Sequence, residues 1–272
     1  MEDLKRLCIH TATTKPWSVE IALANYARAG VAGITLWRDA LEGRDPAAVG
    51  RLARDSGLQV ISLCRGGFFP SPDGDARRRA IEDNLAAIGE AEALGAPLIV
   101  LVPGSDPGQS LEDSRDQIAE GISAVAGRAR DAGVQLAIEP LHPMYADAKS
   151  AVNTMKSAND MCRDLNLDNV GVAVDVYHIW WDPEAFAEIE RCGASGRLLA
   201  FHVCDWRSPT EHFLLDRGLP GEGCIEVPRF RKAVEKAGFQ GFIEVEVFST
   251  RHWSSDQTRY LEKIIRAYRE FV

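Results

Sequence analysis

The sequence predicts an α/β fold: a single (β/α)8 TIM barrel spanning residues 1–272. Three observations carry that expectation. Eight short apolar, strand-like runs alternate with eight segments of helical period. A glycine (Gly30, Gly57, Gly95, Gly133 or Gly238) follows a helical segment just before the next strand, where a helix wants a residue of left-handed conformation. The segments that follow the strands are long and chemically distinctive, whereas those that follow the helices are short. That asymmetry belongs to a barrel whose active face lies at the C-terminal ends of its strands.

In chain order, the strand-like runs are Leu7–His10, Ala32–Trp37, Gln59–Leu63, Pro97–Val102, Val134–Glu139, Val170–Asp175, Leu199–Cys204 and Phe242–Val247. The helical segments are Ser18–Ala29, Asp45–Ser56, Asp75–Leu94, Leu111–Ala132, Lys149–Leu165, Asp182–Cys192, Val227–Ala237 and Ser255–Phe271. Ser18 is placed to cap the first helix, and Asp182-Pro183 offers a cap followed by proline at the first helical position. A doubly wound open sheet is the main alternative. Its phosphate-binding turn is missing, because Ile9-His10-Thr11-Ala12-Thr13-Thr14 lacks the GxGxxG pattern.

Composition narrows the function classes. With 46% hydrophobic residues in 272, the chain can bury a large core. A net charge of −9 argues against a nucleic-acid surface, which needs clustered Lys and Arg. No apolar run is long enough to span a bilayer, and Met1–Arg6 lacks the basic start and apolar stretch of a secretory leader. The six cysteines show no CxxC spacing and read as reduced, mostly buried thiols of a cytoplasmic protein.

Four runs share one arrangement: Leu136-Ala137-Ile138-Glu139, Val172-Ala173-Val174-Asp175, Leu199-Ala200-Phe201-His202 and Phe242-Ile243-Glu244-Val245-Glu246. Each sets a possible metal ligand at or near a strand end. In the first three an alanine stands two residues earlier, on the same face. Three carboxylates and one imidazole suit Mn2+, Mg2+, Co2+ or Zn2+, and the lack of thiolates rules out a structural zinc site. On the last run Glu246 lies nearer the rim. Glu244 sits at the depth of the alanines, where a carboxylate is costly unless paired, and is left in a supporting position.

Around these residues the sequence resembles the sugar phosphate isomerase/epimerase superfamily, with its xylose-isomerase-like TIM barrel. The likeness rests on Glu139 in IEP, Asp175 and His178 in VDVYH, His202 and Asp205 in FHVCD, the segment Leu219–Gly223, and Gly241–Phe248. The last motif also selects Glu246 as the ligand. The resemblance implies a divalent cation, most often Mn2+, held by Glu139, Asp175, His202 and Glu246. It implies an isomerase or epimerase acting on a sugar, keto-sugar or cyclitol through an enediolate, with Glu139 and Glu246 as the acid/base pair. His178 would contact a substrate oxygen.

Ketose 3-epimerases carry an arginine six residues after the metal histidine. Ser208 stands there in this chain, and Arg207 comes one residue early as the nearest substitute contact. His142, three residues after Glu139, is an added candidate base, because a near-neutral imidazole could abstract a proton where a metal-held carboxylate is too weak a base. With His142 as base, a lyase is the alternative: a dehydratase, or an elimination from a 3-keto glycoside. Trp181, Arg65 and His10 complete the expected substrate contacts, with Trp180 as the neighbour of which only one can face the pocket. An abasic-site endonuclease on this barrel would need further histidines after the second and third strands, where Trp37-Arg38-Asp39 and Cys64-Arg65-Gly66 offer none. The expected partner is a small carbohydrate or cyclitol. A homo-oligomer and a hetero-complex with a small second subunit are both compatible with this reading.

Overall fold

The computed structural model describes residues 4–272, so the first residues of the Met1–Arg6 stretch lie outside the described residues. Seven strands come first: β1 Leu7–His10, β2 Gly33–Trp37, β3 Gln59–Gly67, β4 Leu98–Val102, β5 Gln135–Ile138, β6 Val170–Asp175 and β7 Leu198–Val203. A small antiparallel hairpin of β8 Asp205–Trp206 and β9 Arg217–Gly218 follows, and then β10 Ile243–Val245. All but the hairpin strands are parallel and close into a barrel in the order β1-β10-β7-β6-β5-β4-β3-β2. The predicted TIM barrel is therefore the observed fold.

Helices α1 Val19–Ala29, α2 Pro46–Asp55, α3 Gly74–Leu94, α4 Leu111–Asp131 and α5 Met155–Leu165 cover the outside of the first strands. They are followed by α6 Val176–Ile179, α7 Ala185–Ala194, α8 Val227–Lys236, α9 Thr250–Trp253 and α10 Gln257–Phe271. None of the described helices is long and apolar enough to cross a membrane. Strands such as β4, Leu-Ile-Val-Leu-Val, are buried throughout, as expected when helices close one face and the barrel interior the other. The main core lies between barrel and helices. A separate cluster of Cys64, Leu98, Val100, Ala137, Ala173 and Ala200 fills the barrel interior. The alanines that precede Glu139, Asp175 and His202 thus lie directly beneath the functional rim.

Local chemistry set most boundaries as expected. Ser18 accepts from Ile21 N, and the five glycines have positive φ, from 68° to 96°. Two helices start three or more residues later than predicted. Lys149 and Ala151 pair with Gly104 after β4, Val152 and Asn153 bond to Leu141 after β5, and a reciprocal Thr154–Ser157 capping box starts α5 at Met155. Asp182 Oδ1 accepts from Glu184 N in a preceding turn, so α7 begins at Ala185 rather than at the proline. β3 runs four residues past Leu63, and its register shift between Cys64 and Gly66 carries Arg65 onto the rim. All six cysteines are free, five of them buried and Cys224 exposed.

Candidate active site

Glu139, Asp175, His202 and Glu246 meet at the C-terminal rim. One donor atom from each lies within 4.8 Å of the others. Glu139 and Glu246 fall just beyond β5 and β10, yet strand-type bonds still fix them: Glu139 N donates to Leu101 O and Glu246 N to Val203 O. Asp175 ends β6, and its Oδ1 caps α6 by accepting from Tyr177 N at 2.8 Å. That cap starts the single helical turn that brings His178 back over the site. His202 Nδ1 lies 3.0 Å from Glu139 Oε1, and its buried Nε2 has no hydrogen-bond partner.

The carboxylates are not left to themselves. His10 bridges two of them, with Nε2 3.1 Å from Glu244 Oε2 and Nδ1 3.0 Å from Glu246 Oε1. Glu244 also accepts from Thr35 Oγ1, and Ser62 Oγ is 3.5 Å away. This satisfies the condition on a charge at that depth. Arg217, delivered by β9, is 3% exposed. Its Nη1 donates to Asp175 Oδ2 at 3.1 Å and to Glu246 Oε2 at 2.8 Å, and its guanidinium lies 4.2 Å from the Tyr177 ring centroid.

Charge decides whether a divalent cation fits. Glu139, Asp175, Glu244 and Glu246 carry four negative charges when ionised. Arg217 and a protonated His10 return two, leaving a deficit that one divalent cation would fill. Burial pushes the His10 imidazole down, but Glu246 and Glu244 outweigh it and hold it near 9. Without a cation the surplus negative charge draws protons elsewhere. The His202 imidazole, lowered by burial, is raised to about 9 through Glu139 and Glu244. Burial raises the Asp175 carboxyl despite Arg217. The donor set of oxygens and one imidazole nitrogen, with no thiolate, matches Mn2+, Mg2+, Co2+ or Zn2+.

Above the cradle opens a cavity of about 470 Å³. Glu139, Glu246, His178, Arg217, Arg65 and Lys149 bring polar groups to it, and Trp37, Phe68 and Phe248 bring apolar ones. His178 Nδ1 lies 3.3 Å from His142 N, and its Nε2 lies 3.3 Å from Arg217 Nη2 and 3.5 Å from Asp175 Oδ2. Burial, helped by Arg217, holds this imidazole well below its usual pKa.

Several expected contacts lie elsewhere. His10 is fully buried between two glutamates beneath the cavity. His142 caps the short 3-10 turn Pro143–Tyr145, its Nδ1 accepting from Met144 N. Its ring stacks on Trp206 and meets Trp181 edge-on, away from the cavity wall. Trp181 spends its indole N–H on His178 O, and neither it nor Trp180 lines the cavity. Arg207 is ion-paired with Asp216 within the hairpin connection. Arg217 is the arginine that reaches the site. The signal available for it was its place two residues before the matched Leu219–Gly223 segment.

Residues 23–271 match the family described as "Xylose isomerase-like TIM barrel". An inosose isomerase of Bacillus licheniformis is 26% identical over 197 residues, covering 70% of this chain and 69% of its own. A 3-dehydroshikimate dehydratase of Pseudomonas aeruginosa is 28% identical over 239 residues, covering 82% of this chain but only 35% of its own. Among solved structures, a Sinorhizobium meliloti protein is 43% identical over 98% of both chains, with a TM-score of 0.95. The IolI protein with a bound zinc atom is 20% identical over 96% of both chains, with a TM-score of 0.83.

Proposed function

The chain belongs to the xylose isomerase-like TIM barrel family, and on that premise we propose a divalent-metal-dependent isomerase or epimerase of a keto-sugar or keto-cyclitol. The observation that carries this reading is the convergence of three buried carboxylates and one imidazole on the floor of a half-polar cavity. Similarity to an inosose isomerase supports the substrate class, and the zinc of the IolI protein supports the cation.

Glu139, Asp175, His202 and Glu246 would hold the ion, which when bound supplies Lewis-acid polarisation of a substrate carbonyl and its neighbouring hydroxyl. His10 and Arg217 keep Glu246 ionised at neutral pH despite its burial, so it is ready to accept the proton on the carbon next to the carbonyl. In an isomerisation Glu246 would return the proton it took to the neighbouring carbon while the hydroxyl proton passes to the former carbonyl oxygen. In an epimerisation Glu139, beside His202 and protonated in that state, would give its proton to the opposite face while Glu246 keeps the one it took. His178, on the cavity wall, would hydrogen-bond a substrate oxygen. Trp37, Phe68 and Phe248 would cover the C–H faces of the ring and exclude water. General acid–base catalysis of this kind contributes roughly 10²- to 10⁴-fold.

The longer match to a 3-dehydroshikimate dehydratase favours a second reading, elimination on the same cradle. The same proton leaves, but a β-hydroxyl departs as water and a C=C bond remains. His142, off the cavity wall, would not be the base in that reaction; one of the two glutamates would.

Turnover of inosose, D-psicose and 3-dehydroshikimate in D2O by the Mn2+-loaded protein separates the two. An isomerase yields an isomer carrying deuterium at the exchanged carbon, and a lyase yields a dehydrated, ultraviolet-absorbing product. Full activity of metal-stripped Glu139→Gln on any of the three would sink both readings.

A further inference from the structure

Two cations of the cavity wall have no carboxylate of their own. Arg65, near the end of β3, lies 4.1 Å from the Phe68 ring centroid, and Lys149 Nζ lies 5.0 Å from that of Tyr145. Among the described residues, neither forms a salt bridge with an acid. The carboxylates nearest Arg65 in influence, Asp83 and Asp39, are taken up by Arg38 at 2.8 Å and Lys15 at 3.9 Å. The charges that act on Lys149 are those of Arg65 and Arg217, both repulsive.

Backbone, not charge, holds the two side chains in place. Gly104 N donates to Lys149 O at 2.8 Å, and Ala151 N donates to Gly104 O at 2.9 Å. A Cβ at Gly104, whose φ is +99°, would stand 2.8 Å from Phe68 Cα and 2.6 Å from Pro70 Cδ. A side chain there would push apart the segment bearing Lys149 and the one bearing Phe68 and Arg65. Exposed Arg65 and half-buried Lys149 line one cavity and repel each other, and an anion between them would relieve that repulsion. A guanidinium fork beside an ammonium is suited to an oxyacid group, the first by bidentate bonds and the second as a point charge.

We propose that Arg65 and Lys149 form an anion subsite of this cavity. The substrate would then be a keto-sugar or keto-cyclitol that carries a carboxylate or phosphate, a refinement that rests on the proposed function. A neutral cyclitol would leave both cations unpaired.

Calorimetric titration of the Mn2+-loaded protein with quinate, myo-inositol 1-phosphate and myo-inositol tests the subsite. At least one anionic probe should bind about 10- to 100-fold more tightly than myo-inositol, the range expected of charged hydrogen bonds. That preference should shrink as salt is raised. Arg65→Gln and Lys149→Gln should each remove most of the preference, and Lys149→Arg should retain it. The ratio of quinate to phosphate affinity identifies the oxyacid. Anionic probes that bind no more tightly than myo-inositol, or do not bind at all, would overturn the proposal, as would a preference that survives both glutamine variants. Repeating the titrations on chelator-stripped protein keeps the two readings apart. Anion preference that persists in the stripped protein supports the subsite independently of the reaction, whereas absence of deuterium exchange by the Mn2+-loaded protein counts against the reaction and leaves the subsite standing.

Discussion

Replacing Arg217 with methionine should expose the electrostatic logic of the cradle. The side chain is 3% exposed and contacts two buried carboxylates, at 3.1 Å to Asp175 and 2.8 Å to Glu246. Methionine keeps much of the packing over Tyr177 and removes the charge. Removing one partner of a buried ion pair typically costs about 3–5 kcal/mol, because the other charge stays buried and uncompensated. For a chain of this size each kcal/mol moves Tm by about 2–4 °C, so metal-free Arg217→Met should melt roughly 6–20 °C below the wild type.

The deficit should respond to two variables. Arg217 lowers an Asp175 carboxyl that burial raises, so its loss raises that group further. Asp175 then takes up a proton more readily as pH falls, and the deficit should be smaller at pH ~5.5 than at pH ~8. A divalent cation supplies the missing positive charge, so saturating Mn2+ should recover much of the lost Tm. Lysine at this position, a single point charge without the fork, should recover only part of it. The assay is thermal unfolding by circular dichroism in chelator and in Mn2+, at both pH values. A metal-free variant melting within about 2 °C of the wild type, by the conversion above, would refute the argument that Arg217 offsets the buried carboxylates.

Other residues carry predictions of their own. His142→Ala should cost about 1 kcal/mol by loss of the Met144 cap and leave kcat/KM within about tenfold; a loss beyond about 10³-fold would return His142 to the position of general base. Asp205 accepts four backbone N–H groups, from Trp206, Gly221, Gly223 and Ile225; Asp205→Asn turns an NH2 toward part of that set and should lower stability by about 2–4 kcal/mol, which an unchanged denaturation midpoint would contradict. Glu222 is held near 2: burial raises it, but His252 and the Leu219 N–H outweigh that. A depressed carboxyl contributes stability above its ordinary value of about 4.5 that is lost as pH falls toward 2. The Tm gap between wild type and Glu222→Gln should therefore be widest near pH 7 and close across that window, and a gap independent of pH would show the assignment to be mistaken.

The barrel was legible because it repeats. Each βα unit writes an apolar run and a helical period, and five of them add the named glycines, which have positive φ where the backbone requires it. The convergence of Glu139, Asp175, His202 and Glu246 was legible for a related reason. Strand alternation places Glu139, Asp175 and His202 two residues above Ala137, Ala173 and Ala200, and those alanines pack together inside the barrel.

What surrounds the cradle depends on non-repeating structure, and there the reading slipped. Arg217 reaches the site only because Asp205–Trp206 pairs antiparallel with Arg217–Gly218, and two-residue strands carry no period to detect. The same hairpin brings Trp206 against His142 and ties Arg207 to Asp216, so one missed element set two residues, His142 and Arg207, away from the cavity where they were expected. His10 stands at the predicted strand end, yet its purpose appears only once the barrel closes β1 onto β10 and sets the imidazole between Glu244 and Glu246. Local pattern can place an acid at a rim. Whether that acid is free to hold a cation depends on counter-charges that arrive from strands far away in sequence. Here those counter-charges, His10 and Arg217, reduce four carboxylates to the charge that one divalent ion can balance.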